Sequence, residues 1–410
     1  MKHVRVPIDE RVPCGAALRF DAAQAILATV AQPLGTEQVP LSRAGRRVLA
    51  EPVRAAMDIP ARDLAAMDGF AVREADLATG LRRFAVAGAA YPGAPFQGTL
   101  QPGGAVRIMT GALMPAGADR VLMRELVGAE DLTVTLEGPV PAKPHVRLRG
   151  SDSAAGTVLL PAGRLLDPRA LVAAAAADAA MLAVWRAPGV RVIATGDELV
   201  PAGEAQARGG IPDSLSEAVL LMARQWGARP LGAARVRDDE ASLRASAEAA
   251  LADSDVLVLC GGASRGDRDF ARSALGPLGL ELLFADVAIK PGKPVWLGRI
   301  DGRLVLGLPG NPTAAMTVAR LFLAPLLAGL GGRGVQAAFR WEGLPLAEGI
   351  AANGDREAFQ CAERTDTGVQ VIGGQSASGQ SLLARADLLV RRLPGERALA
   401  AGSVVASLRF

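Results

Sequence analysis

The chain has 410 residues, of which 50% are apolar and only 4% aromatic, and a formal net charge of +3. That length exceeds one ordinary hydrophobic core and points to three or four domains, while a mild basic excess without a Lys/Arg run suits a small anionic substrate better than a nucleic-acid track. Three scattered cysteines (Cys14, Cys260, Cys361) and two histidines exclude a disulfide scaffold and a Cys/His zinc site, and the opening MKHVRVPIDERVP lacks the apolar core of a signal peptide, so a cytoplasmic protein is expected, with neither membrane nor nucleic acid as partner.

Asp21 is placed to cap a helix AAQAILATVAQ that stops at Pro33, and LSRAGRRVLAEPVRA (41–55) has helical spacing. From about Ala55 the pattern changes to short strand-like runs punctuated by Gly and Pro: AMDGFAVR, RRFAVAGAA, GGAVRIMTG, ADRVLMREL and LTVTLEG. This reads as a β-rich domain, 55–145, inserted into a partly helical one, 1–54 and 146–188. Asp167-Pro168 then opens an Ala-rich helix, Asp as N-cap and Pro as first helical residue.

From Val190 strands and helices alternate. VRVIA leads into the turn TGDE, Ser214 and Glu217 form a candidate capping box, ARPLGAARV is a strand, and DDEASLRASAEAALADS carries Leu243, Ala247 and Leu251 on one helical face. DVLVLC leads into GGASRGDRDF, VWLGRI is a strand, and RLVLGL leads into PGNP, where Asn311 is placed to cap the next helix. Such alternation predicts an open parallel sheet with helices on both faces, 189–333. Shorter runs over 334–410 predict a small C-terminal β domain.

Ligands of open α/β sheets sit beyond the carboxyl ends of the strands. The loops there hold Asp197 and Glu198, then Gly261, Gly262, Asp267 and Asp269, then Pro309, Gly310, Asn311 and Pro312; Lys290 and Lys293 lie in KPGKP just before VWLGRI. Glycine turns and the free N–H groups of a helix start accept anions, and lysines add charge. Carboxylates in the same cleft would repel an anion unless a divalent cation mediates, and hard oxygen ligands suit Mg²⁺. The expected chemistry is metal-assisted reaction at a phosphate ester or anhydride.

The wording of these segments resembles the MoeA family of molybdopterin molybdenumtransferases, to which the gephyrin E domain is related. AAMDGFAV, RIMTGALMPAGADRVLMRE, VRLRGSD, ATGDELV, GGASRGDRDF, IKPGKPVWLG, LGLPGNPTAAM and GGQSASGQSLLARADLLV carry it, in order. The resemblance implies a multidomain α/β plus β fold: a MogA-like α/β molybdopterin-binding domain, the inserted β-rich domain, the linking domain and a C-terminal β-barrel domain. It also implies a homodimer with active sites shared between subunits, and a molybdopterin adenylyltransferase or a molybdoenzyme as further partners. The implied reaction transfers molybdate to adenylylated molybdopterin with Mg²⁺-dependent release of AMP. Asp68, Asp197 and Glu198 are the implied catalytic residues and Asp267, Asp269 and Glu198 the implied metal ligands. Cofactor contacts are implied for Thr110, Gly111, Asp152, Gly261, Gly262, Ser264, Lys290, Lys293 and Pro309 to Pro312.

The chain departs from the family pattern at Phe70, Ser151, Leu215, Ala263, Arg265 and Arg268. Those changes define the alternative reading, a divergent molybdopterin-binding or cofactor-delivery paralogue that does not catalyse insertion. A further alternative, the preceding adenylylation step, is opposed by the inserted and C-terminal domains, which an adenylylating module lacks.

Overall fold

The computed structural model describes residues 17–262 and 270–410. They form two compact units, one of residues up to Glu37 with Arg46–Ala50 and Val184–Phe410, the other of Gln38–Gly45 with Glu51–Ala183. The class is multidomain α/β plus β.

In the first unit a six-stranded sheet runs in the order Arg229–Val236, Gly189–Thr195, Val256–Cys260, Arg303–Leu308, Trp296–Ile300, Glu281–Ala285. The first four strands are parallel, whereas the last two pair antiparallel, so the sheet is mixed rather than purely parallel. The reason is local. Asp301 and Gly302 adopt φ of 45° and 78° between Ile300 and Arg303, the Asp-Gly geometry of a two-residue hairpin.

Both faces of this sheet are covered, which is why its strands read as unbroken apolar runs. Val192, Val258 and Leu306 pack in one core with residues of the helix Ser216–Gln225 and of the helical run 312–330. Ile193, Leu257 and Leu259 pack in another with the helices Glu240–Leu251 and Ala271–Leu275. The run Pro312–Leu330 is long and apolar enough to cross a bilayer, but it is 94% buried inside the protein and serves as a core helix.

A second sheet in this unit orders Ile289–Lys290, Glu357–Thr365, Leu388–Arg392, Val404–Arg409 and Trp341–Pro345, with Gly368–Val371 against the long strand. The two-residue parallel pairing of Ile289 with Glu357 and Lys290 with Ala358 ties it to the KPGKP segment.

The other unit is built on a sheet ordered Arg120–Met123, Gly69–Val72, Gly104–Ile108, Arg83–Ala90, Thr133–Leu136, Val127–Glu130. Its helix Pro168–Ala176 begins as expected, with the Asp167 side chain accepting from Ala170 N at 2.8 Å.

Four local expectations are corrected. The first helix is Phe20–Val30 with Arg19 at the N-cap, so Asp21 lies inside the first turn. Residues 41–55 form only a 3₁₀ turn, Leu41–Arg43, and a short strand, Val53–Arg54; Arg46 at φ 66° breaks the helical path. Asp213, not Ser214, accepts from the N–H groups of Leu215 and Ser216 at the start of Ser216–Gln225. Asn311 makes no side-chain cap bond.

Candidate functional site

The carboxyl ends of three parallel strands bring the predicted turns into contact. Gly261 has φ of 94°, and a Cβ there would stand 2.8 Å from Thr195 Oγ1 and 2.9 Å from Thr195 O; a Cβ on Gly310 would stand 3.6 Å from Gly261 Cα. Glycine at 261 is thus required both by its left-handed backbone and by close approach. The Thr195 hydroxyl is buried, with no partner among the described residues. Asp197 is occupied by its neighbours: Oδ1 accepts from Asp238 N at 3.3 Å and lies 3.5 Å from Arg237 Nε. The Glu198 carboxylate folds back over Gly196, both oxygens 2.9 Å from where a Cβ would be. Ser264, Asp267 and Asp269 lie outside the described residues, as do Ala263, Arg265 and Arg268.

The lysines occupy a different place. A cleft of about 360 Å³ is lined by Lys290, Lys293 and Arg356, with Asn311, Gln360 and Ser376 among its polar groups and Pro309 on its wall. Among the described residues its lining holds no carboxylate. KPGKP is braced as a turn: Val287 N donates to Lys293 O at 2.9 Å, and Val295 N to Gly292 O at 3.2 Å. Gly292, with φ of 102°, leaves no room for a side chain against Val318. Of the acids expected beside the lysines, Asp197 and Glu198 do not line this cleft, and Asp267 and Asp269 lie outside the described residues. Asp197 and Glu198 leave the sheet at the Thr195 strand, whereas Lys290 is drawn by strand pairing to Ala358 in the C-terminal sheet. Three guanidinium or ammonium groups, with no acid among the described lining residues, suit an oxyanion.

Composition and spacing missed this contribution of the C-terminal segment. Arg356 donates Nη1 to Ile289 O at 3.4 Å, which holds it beside the lysines. Gln375 accepts from Cys361 N at 2.9 Å and donates to Cys361 O at 2.8 Å and Ile372 O at 2.6 Å, fixing the loop that carries Ser376. The same loop covers the start of the helix Pro312–Val318: Ala377 O accepts from Ala314 N at 3.1 Å and Gly379 O from Thr313 Oγ1 at 2.9 Å. Ala315 N goes to Asn311 O, and Pro312 has no N–H, so fewer helix-end donors face a ligand than expected. The signal available in the sequence was GGQSASGQS, a Gly/Ser-rich loop in a β region.

In the second unit Asp68 and Thr110 meet. Asp68 Oδ1 accepts from Thr110 N and from Thr110 Oγ1, each at 2.7 Å. Thr110's backbone N–H and then its hydroxyl hold the Asp68 carboxyl below its ordinary 3.8, against a burial penalty, with Arg124 adding a weaker pull. Gly111, φ 82°, turns the chain here and donates to Ala65 O at 2.9 Å. Asp152 is exposed in a loop bound to Ile59 O through its own N–H, and Asp58 pins that loop by accepting from Ala155 N and Arg149 Nε. Two departures prove to be core residues: Phe70 packs with Val72, Phe84 and Leu122, and Leu215 with Val219.

Residues 18–177 match the MoeA N-terminal region (domain I and II), and residues 191–329 match a probable molybdopterin binding domain. A molybdopterin molybdenumtransferase of Synechococcus elongatus is 35% identical over 95% of this chain and 98% of its own length. The chain belongs to the MoeA family. A further molybdopterin molybdenumtransferase, of Haemophilus influenzae, is 35% identical over 73% of this chain and 74% of its own length. The crystal structure of a molybdopterin biosynthesis MoeA protein from Pyrococcus horikosii superposes with a TM-score of 0.77 at 30% identity, covering 96% of this chain and 99% of that one. Among the described residues, the cation cleft and the Asp68–Thr110 clamp both gather polar side chains predicted from the family motifs.

Proposed function

We propose that this MoeA-family chain transfers molybdate to adenylylated molybdopterin, with Mg²⁺-dependent release of AMP. It is an enzyme of molybdenum cofactor biosynthesis, a molybdopterin molybdenumtransferase as its relatives are named. The observation that carries the finer reading is the cleft of Lys290, Lys293 and Arg356 without a carboxylate, which suits a tetrahedral dianion such as molybdate, bound as substrate. Asp68 is held as a weakly basic carboxylate, so its role is to orient a water at the phosphate rather than to take its proton.

Among the described residues no three of His, Cys, Asp and Glu assemble a metal site. Glu198 alone does not make a Mg²⁺ shell, and the other two candidate ligands lie outside the described residues, so no step here is routed through the metal. When bound, Mg²⁺ would offset phosphate charge.

The test is AMP formation from adenylylated molybdopterin. Molybdate-dependent release is expected, and Asp68→Asn should abolish turnover while leaving cofactor binding nearly intact. Tight cofactor binding by the unmodified protein with no turnover at any molybdate or Mg²⁺ concentration overturns the reading. Shared sites in a homodimer are part of the proposal. At molybdate well below the KM of the unmodified protein, where Lys290→Ala chains alone are nearly silent, mixing Asp68→Asn and Lys290→Ala chains should then restore about a quarter of normal turnover through dimers with one intact site.

A further inference from the structure

Trp226 follows the helix Ser216–Gln225 and has two guanidiniums against its ring, Arg320 Cζ at 5.2 Å and Arg333 Cζ at 4.7 Å from the centroid. Arg320 is only 5% exposed. Its Nε donates to Arg409 O at 2.7 Å and its Nη2 to Ala338 O at 2.8 Å, but Nη1 is buried with no partner among the described residues. Burial pushes the Arg320 guanidinium down to about 10. Arg333, half-buried, is pushed down by burial and then by the fields of Arg340 and Arg46. Arg46 is tethered beside Trp226 by a 2.5 Å bond from Nη2 to Gln225 O.

Among the described residues none of these four arginines makes an ion pair. The contrast with the same unit's Asp255, which alone gathers Arg186 and Arg303, shows how cationic side chains are neutralised elsewhere. Partly buried charge without a counter-charge is unfavourable, and the cost falls when a carboxylate is supplied. The supplier must reach a cluster drawn from three stretches of chain. Arg46 and Arg340 are exposed at its edge and Arg333 lies deeper. One small anion satisfies one guanidinium fork; several carboxylates on a peptide match the spread. Arginine and tryptophan together are also the side chains that concentrate binding energy at protein interfaces.

We propose that the Arg46–Trp226–Arg333–Arg340 face docks an acidic segment of a partner protein, one presenting at least two closely spaced carboxylates. Arg320 lies beneath as a fixed positive charge, braced by two carbonyls.

The test uses the full chain and a fluorescent ten-residue oligoglutamate peptide, followed by anisotropy at low salt. Saturable binding is expected, weakened at least about tenfold by Arg333→Gln with Arg340→Gln. Removing the same charge elsewhere, by Arg82→Gln with Arg397→Gln, both exposed, should change it less than about twofold. Molybdate-dependent turnover should stay normal in both pairs. Equal weakening by the two pairs, or no saturable binding, overturns the proposal. Displacement of the peptide by equimolar inorganic phosphate would make this a small-oxyanion site, and a changed sedimentation mass in the Arg333/Arg340 variant would make it a contact between copies; either result overturns the acidic-segment reading.

Discussion

Gly69→Ala tests whether Asp68 works through its position. Gly69 opens the strand Gly69–Val72, and its neighbour Asp68 is held by two 2.7 Å bonds from Thr110. A Cβ on Gly69 would overlap the Leu122 carbonyl oxygen, standing 2.9 Å from the Leu122 carbonyl carbon and 3.1 Å from Arg124 N. Carbon pairs settle at about 3.5–4.0 Å, so the strand must shift by at least roughly 0.6 Å, and further for the oxygen. The obstacle is backbone on the paired strand Arg120–Met123, so no rotamer change relieves it. Overpacking of this kind costs about 1–3 kcal/mol. A displacement near 1 Å of a positioned group costs about 10²-fold in rate. The expected result is a lowered unfolding midpoint and AMP release reduced by about two orders of magnitude. Gly80→Ala is the control: φ is 88° but nothing lies within 4 Å, so it should lose about 1 kcal/mol of stability and no activity. If Gly69→Ala kept turnover within about threefold while losing the expected stability, the edge strand would have yielded without moving Asp68, and the positional argument would be wrong.

Lys290→Ala and Arg356→Ala should each raise the KM for molybdate by about 10–100-fold, the worth of one charge-assisted hydrogen bond, in steady-state AMP release. An unchanged KM in both would take the oxyanion out of this cleft. Asp255, 7% exposed, accepts from Arg186 at 2.8 and 2.9 Å, Arg303 at 3.1 Å and Gly189 N at 2.7 Å. Burial pushes its carboxyl up, but the bonds from Arg186 and Gly189 N, with the charges of Arg186 and Arg303, hold it below 3.8. Asp255→Asn should cost about 2–3 kcal/mol at pH 7, less than the ~3–5 of a fully buried pair because the arginines are well solvated. Since the folded value is depressed, that stability is complete above pH 3.8 and is lost as pH falls below it toward the folded value; denaturant unfolding of the variant should converge on the unmodified protein in acid. A penalty that grew in acid would contradict this. Burial pushes the Cys260 thiol up to about 12 and Cys361 up to about 11, so neither should react with a thiol reagent at pH 8 until the chain unfolds, which mass spectrometry of labelled peptides would show.

Much was legible because it is written in local periodicity and turn chemistry. DVLVLC and RLVLGL are apolar throughout because both sheet faces are covered, and Asp167-Pro168 starts its helix by a bond spanning three residues. The loops at the carboxyl ends of the parallel strands followed from the alternation, and Gly261 had to be glycine for reasons of its own backbone. The Asp-Gly of 301–302 was equally readable as a hairpin and went unread.

What the tertiary structure alone decided is who shares a cleft. Arg356 and Ser376 join Lys290 and Lys293 through a two-residue strand pairing and a Gln375-fixed loop, from more than sixty positions away in the chain. The same loop consumes a donor at the helix start that the motif PGNP appeared to leave free, and Asp197 spends its carboxylate on Asp238 N and Arg237. Periodicities of 2 and 3.6 residues report which face of an element is buried; they carry no information about which distant segment folds over it. Charge that looks shared along the sequence is therefore sorted only by long-range packing, with cations gathered in one cleft and described acids in another place.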